Sequence, residues 1–177
     1  GQGVTQAALL GGGRVPRPGE VTLSGKGVLF LDELTEYRQT VLEGLREPLE
    51  EKKVILTRLT ETCVYPADFM LAAAMNPCRC GYFPDRSRCN CTPVQIQNYL
   101  NRLSRPILER FDICVEAEPV TFAELEDQTT ENEDSAVIRS RVEKAVKIQA
   151  TRFQGTDIRT KSRMGQKEIK RLGKLKE

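Results

Sequence analysis

The sequence predicts an α/β protein built on a parallel sheet and followed by helices, and three features carry that expectation. Gly27-Val28-Leu29-Phe30-Leu31-Asp32-Glu33 runs four consecutive apolar residues into two carboxylates, the pattern of a strand buried on both faces whose carboxyl end opens into a cleft. Phe69-Met70-Leu71-Ala72-Ala73-Ala74-Met75-Asn76 is a second apolar run that ends in a polar side chain. Segments of helical period separate and follow these runs: residues 36–51, with Val41, Leu42, Leu45 and Leu49 on one face, and a helix that starts at Thr92.

A chain of 177 residues suits one domain, or one domain with part of another. At this length roughly 70% of the unfolded surface can be buried, so no covalent staple is required. The net charge of +2 argues against binding nucleic acid by bulk charge. No apolar run reaches transmembrane length and no signal-peptide pattern is present, which predicts a soluble, cytoplasmic protein with no membrane partner. Because there is no histidine, His-based triads, His metal ligands and His general bases are excluded from this chain. The chain opens at Gly1 and stops in a basic stretch, as a piece of a longer protein would.

Taken in order, residues 1–25 are rich in Gly and Pro and read as a surface loop with one short helix at residues 6–10. No Gly-x-x-x-x-Gly-Lys-Ser/Thr loop occurs, and Gly25-Lys26 precedes a strand rather than opening a helix, so the piece is expected to lack a phosphate cradle. Residues 27–33 match the Walker B pattern of nucleotide hydrolases. Asp32 would hold the Mg²⁺ that bridges the β- and γ-phosphates, and Glu33 would orient the attacking water. Adjacent strand residues point to opposite sides, which suits two carboxylates with two tasks; the alternative is a core strand that ends in two solvated acids. After the helical segment, in which Pro48 is expected to bend or end the helix, residues 54–57 and 62–65 form β-rich runs readable as a hairpin closed by Pro66. If the run ending at Asn76 lies beside the first strand, its amide reaches the same crevice and can sense the γ-phosphate; the alternative is a turn residue ahead of Pro77.

Of six cysteines, Cys63 and Cys114 sit singly in apolar strand patterns, whereas Cys78, Cys80, Cys89 and Cys91 form two Cys-x-Cys pairs. Four thiolates suit a tetrahedral Zn²⁺, with reduced thiols or disulfides as the competing readings. Thr92-Pro93-Val94-Gln95 is a capping box with proline at the first helical position, and Ile96, Tyr99, Leu100 and Leu103 give that helix its buried face. Ser104-Arg105-Pro106 interrupts it. A short helix over residues 107–110 then leads into a third strand over residues 111–115. Arg110, at that junction, could reach a neighbouring subunit's phosphates, or could simply pair with Glu109 or Asp112.

Residues 116–134 hold eight acids and no base, which marks a linker. The expected organisation is therefore a core at 1–118, an acidic linker at 119–134 and helices at 135–177. In the last segment Ile138, Val142, Ala145, Val146 and Gln149 share a face, Gly155 ends the helix, and another starts near Gln166. Between Arg139 and Lys176 thirteen Lys plus Arg face three acids, a basic surface that could touch nucleic acid or be solvated helix.

The order of these features is more specific than any one of them. Gly27 to Glu33, Leu45-Arg46-Glu47-Pro48-Leu49-Glu50, Tyr65-Pro66-Ala67, Ala73 to Tyr82 with its first Cys-x-Cys pair, Tyr99 to Ser104 and Leu108-Glu109-Arg110-Phe111-Asp112 follow one another. Together they closely resemble the AAA+ module of the magnesium-chelatase-like ComM/YifB family. Gly11-Gly12-Gly13 and Pro18-Gly19-Glu20 resemble the family's segment ahead of Walker B, and Arg152-Phe153 with Met164-Gly165 resembles its lid. The resemblance implies a partial P-loop NTPase core and the start of a helical lid, assembled as a hexameric ring with ATP and Mg²⁺ between subunits. It makes Asp32 and Glu33 Walker B, Asn76 sensor 1, and Arg110 an arginine finger acting on the neighbour's ATP. It also implies coupling of hydrolysis to DNA branch migration, with DNA as the partner; the alternatives are a magnesium chelatase motor subunit and a zinc-bearing scaffold without hydrolysis. Arg105 departs from the family's usual glycine. Walker A is expected upstream of Gly1 and sensor 2 beyond Glu177, so the piece alone is expected to be inactive.

Overall fold

The computed structural model describes residues 3–57, 62–118, 120, 133–158 and 160–172. The chain divides into two units, Gly1–Glu116 and Ala117–Glu177.

In the first unit Thr5 caps α1 (Gln6–Leu10), its Oγ1 accepting from the Ala8 N–H at 3.1 Å. The glycines that follow do not form the predicted open loop. β1 (Gly11–Gly12) pairs antiparallel with β2 (Arg17–Pro18), and α2 (Glu20–Leu23) buries Val21 completely. This closure requires Gly19, since a Cβ there would stand 2.3 Å from the Gly11 nitrogen and 2.5 Å from the Leu9 oxygen.

β3 (Val28–Leu31) then pairs in parallel with a strand that is distant in sequence, β6 (Met70–Ala73), with Leu29 opposite Leu71 and Leu31 opposite Ala73. The expected parallel arrangement is present, but burial on both faces is not. Leu29 and Leu31 are buried, whereas Val28 and Phe30 are 57% and 60% exposed. The core, which joins Leu29 and Leu31 to Leu9, Val21, Leu42 and Ile107, lies on one side of the pair. Alternation along a strand then leaves Val28, Phe30 and Met70 outward.

The single helix predicted over residues 36–51 is two. A 3-10 turn at Leu34–Glu36 precedes α3 (Gln39–Glu43) and α4 (Arg46–Glu51), which meet at Gly44-Leu45. Pro48 neither bends nor ends α4. It sits in the helix's first turn, where the amide it lacks would have had no intrahelical acceptor. Val41, Leu42 and Leu45 are all buried, as their spacing predicts. β4 (Lys53–Thr57) and β5 (Thr62–Pro66) form the expected antiparallel ribbon, and the Tyr65 hydroxyl donates to the Pro16 carbonyl at 3.0 Å.

α5 (Pro93–Leu100) carries the predicted capping box: Thr92 Oγ1 accepts from the Gln95 N–H and Gln95 Oε1 accepts from the Thr92 N–H. α6 (Arg105–Leu108) buries Ile107. The predicted third strand at residues 111–115 is absent. Ile113 and Val115 are 80% and 88% exposed, and no described strand runs alongside to take up their backbone groups. β-propensity without a hydrogen-bonding neighbour does not make a strand.

In the second unit Asp134 caps α7 (Ser135–Arg152), accepting from the Val137 N–H at 2.8 Å. Phe153 is buried beneath the helix end, and Lys161 N–H donates to Gln149 Oε1 at 3.0 Å. α8 (Gln166–Leu172) follows. The acidic stretch at 119–134 lies outside the described residues except for residues 120, 133 and 134. No described helix is long and apolar enough to cross a membrane.

Candidate functional site

The parallel pairing of β3 and β6 continues past both strands. Ala74 N–H donates to the Leu31 carbonyl at 3.0 Å, and Leu34 N–H donates to the Ala74 carbonyl at 2.9 Å. These bonds clamp the Asp32-Glu33 turn against the chain that leads to Asn76. Asp32, Glu33 and Asn76 therefore emerge, all exposed, at the carboxyl ends of adjacent parallel strands. Glu33 takes a left-handed backbone, φ 52° and ψ 51°, and its N–H donates to Asp32 Oδ1 at 2.9 Å. For a residue with a Cβ that conformation costs on the order of 1 kcal/mol, and strain of this kind concentrates at functional sites. The turn is held from behind. The buried Thr35 hydroxyl donates to the Tyr99 oxygen of α5 at 2.6 Å, and Arg102 donates to the Thr35 carbonyl at 3.3 Å and to Glu36 at 3.0 Å. Sequence reading missed Thr35 and Arg102; a hydroxyl two positions after the acid pair, inside an apolar period, was the available signal for the first.

Arg110 does not join this crevice through any recorded bond. Its guanidinium pairs with Glu50 of α4 rather than with Glu109 or Asp112, and its Nε is buried without a hydrogen-bond partner. Glu109 is taken by Arg105 at 3.0 Å. An open groove of about 960 Å³ between α1, α4 and β4 is lined by Glu43, Glu47, Glu50 and Glu51. Asp32, Glu33 and Asn76 are not part of it.

The four clustered cysteines converge. Their sulfurs all lie within 4.8 Å of one another, with Cys78···Cys80 at 3.3 Å, Cys80···Cys89 at 3.6 Å and Cys78···Cys89 at 3.8 Å. All are free thiols in this structure, as are Cys63 and Cys114. A tetrahedral zinc with Zn–S of about 2.3 Å places its sulfurs about 3.8 Å apart, so the spacing fits one ion. Local bonds build the loop: Gly81, at φ 84°, donates to the Cys78 carbonyl, and Cys89 N–H donates to the Asp85 carbonyl at 2.8 Å. Asp85 Oδ1 in turn accepts from the Ser87 hydroxyl and N–H, which holds its carboxyl below the usual range. Cys78 and Cys89 are buried with Ile96 of α5, and Phe83 and Leu100 pack around them. Burial pushes the Cys78 thiol up, but hydrogen bonds from the backbone at Phe83 and Cys80 and from the Cys80 and Cys89 thiols outweigh it, leaving it at about 6. Cys89 is pushed to about 11: a backbone hydrogen bond at Cys91 lowers it, but burial and the neighbouring sulfurs of Cys80 and Cys78 prevail. The loop also returns to the carboxylate crevice. A Cβ on Gly81 would stand 3.9 Å from Asn76 Cγ and Oδ1.

The chain has counterparts in sequence. Residues 2–125 match the family described as magnesium chelatase, subunit ChlI. The chain belongs to that family. Within the magnesium chelatase family it is ComM/YifB-like: it is 43% identical over 145 residues to the competence protein ComM of Haemophilus influenzae, covering 82% of this chain and 28% of that protein. It is 41% identical over 160 residues to YifB of Salmonella typhimurium, 90% of this chain and 31% of the relative. Against YifB of Escherichia coli it is 44% identical over 135 residues, 76% and 26%. The chain thus spans about a third or less of the length of these relatives.

Proposed function

We propose that this chain is part of a Mg²⁺-dependent ATPase of the AAA+ class that couples hydrolysis to remodelling of DNA. The observation that carries the reading is the strained Glu33 beside Asp32 at the end of a parallel strand pair, with Asn76 on the adjoining strand. Carboxylate oxygens open to solvent are the donors a hard cation takes, so the residues present fit Mg²⁺. When bound, Mg-ATP supplies the phosphoanhydride bond and a cation that neutralises phosphate charge. Asp32 would hold the cation. Glu33 would orient the attacking water and accept its proton. Asn76 donates its amide N–H to the terminal phosphate. Arg110 acts on the nucleotide of a neighbouring copy in a ring, which requires it to leave Glu50. The four thiols, a soft donor set, suit a different ion, Zn²⁺.

DNA as the substrate is supported by the likeness to a protein named for competence. The family's description favours a second reading, a motor for metal chelation. ATP turnover by the full-length protein, measured with and without branched DNA, separates the two. Stimulation by branched DNA and its loss in Glu33→Gln, with nucleotide binding kept, are the expected results. Undiminished turnover by Glu33→Gln overturns the assignment of the site.

A further inference from the structure

The thiol loop and the carboxylate crevice are joined twice in the fold. Asn76 and Cys78 are separated only by Pro77, whose fixed φ makes the link short and stiff. The loop then doubles back at Gly81, in the left-handed region, so that a Cβ there would stand 3.9 Å from the Asn76 carboxamide. From Cys91 the chain passes directly into the Thr92 cap of α5, and Tyr99 of that helix holds Thr35, two residues beyond Glu33. Between the cysteines the loop is held by its own short-range bonds, Asp85 with Ser87 and Cys89, and by Arg86 over Phe83 and Arg88 over Tyr82, while Cys80, Asp85, Arg86 and Arg88 stay exposed. Two sulfurs sit in an apolar shell of Ile96, Phe83 and Leu100, the dry surrounding that strengthens a thiolate–metal bond.

We propose that a zinc ion held by Cys78, Cys80, Cys89 and Cys91 is the positioning element for the Asn76 carboxamide, so that occupancy of the thiol loop sets the geometry of the nucleotide crevice. The consequence for hydrolysis rests on Asn76 acting as proposed above; the positioning itself does not. Four protein ligands close the coordination shell, so the ion has no open position for water and its role is to hold the loop. Coordination releases thiol protons to solvent and replaces sulfur–sulfur contacts with four bonds to one centre. Gly81 is then fixed near Asn76, and Pro77 is fixed next to it in the chain. Without the ion both supports of the amide loosen together. Asn76 is a positioned group here, and the cysteines act through it.

The test uses the 177-residue chain, labelled with ¹⁵N, stripped with a chelator and titrated with zinc chloride. Metal analysis after purification without chelators is expected to give one zinc per chain for the wild type and for Cys63→Ser, and none at stoichiometric level for Cys89→Ser. The Asn76 side-chain NH₂ signal, assigned by its absence in Asn76→Asp, is expected to move or sharpen and to saturate at one equivalent. The backbone amides of Leu29 and Leu31 and the side chain of Gln39 stay in place as controls for the fold. Absence of stoichiometric zinc overturns the proposal, and so does stoichiometric zinc that leaves the Asn76 signal unmoved. Neither readout involves ATP. A zinc-dependent Asn76 signal in a protein whose full-length form shows no ATP turnover overturns the ATPase reading and leaves the positioning intact.

Discussion

Thr35 donates its hydroxyl to the phenol oxygen of Tyr99 at 2.6 Å, and both side chains are buried. The two residues are 64 positions apart. Their bond fastens the turn that follows Asp32 and Glu33 to the helix that follows the thiol loop. Thr35 is a buried polar side chain, 1% exposed, and a buried hydroxyl left without a partner costs about 1–3 kcal/mol. Tyr99→Phe is therefore expected to lower stability by about 1–2 kcal/mol, read as a lower denaturant midpoint with unchanged slope. Combining it with Thr35→Val removes the orphaned group and is expected to recover part of the loss. A double variant no more stable than Tyr99→Phe would show that the bond is not what the phenol contributes.

At Glu33 stability and function pull apart. Glycine accepts the left-handed backbone at that position without steric cost. Glu33→Gly is expected to be as stable as the parent or more so, by up to about 1 kcal/mol. In the full-length protein the same change should abolish ATP turnover. Thermal unfolding of the variant checks the first expectation, and a stability lower than that of the parent would count against strain at this turn.

Closure of β1 and β2 onto α1 depends on a missing side chain. The atoms a Cβ at Gly19 would strike are backbone atoms of Leu9 and Gly11, which cannot swing aside as a side-chain tip can. Gly19→Ala is expected to cost at least about 1–3 kcal/mol by urea denaturation. Gly155→Ala tests a different cost, because nothing lies within 4 Å of its Cβ and only the φ of 78° opposes it.

Glu50 lies on α4 and Arg110 in the turn that follows α6, and their side chains are each partly exposed, at 46% and 30%. A pair so placed is worth about 0–1 kcal/mol. Arg110→Ala should therefore change the stability of this chain little. In the assembled full-length protein the proposed role in a neighbour's site predicts a loss of about 10³ to 10⁵ in turnover with nucleotide binding retained. Normal turnover in an assembled ring would remove Arg110 from the mechanism.

Features written in consecutive residues were legible in advance. The apolar runs that became β3 and β6, the Thr92–Gln95 capping box, the ribbon of β4 and β5 and the convergence of two Cys-x-Cys pairs depend on local period and local chemistry. Propensity misled where the outcome depends on a neighbour. Residues 111–115 have strand composition but no described strand beside them, and Ile113 and Val115 stand in solvent. The long apolar period over residues 36–51 marked the buried positions correctly, yet it could not show that Gly44 and Leu45 divide it into two helices.

By itself the amino-acid sequence determined the α/β character, the two acids and the amide at the ends of apolar runs, and the four thiols in one loop. Each follows from residue type and spacing over a few positions. Only the tertiary structure decided that β3 is covered on one face, that Arg110 rests on Glu50, that Thr35 is held by Tyr99, and that the loop at Gly81 comes back near Asn76. The physical reason is separation along the chain. The Arg110–Glu50 and Thr35–Tyr99 partners lie 60 and 64 residues apart, and such contacts exist only once the core has set the distance between the elements that carry them.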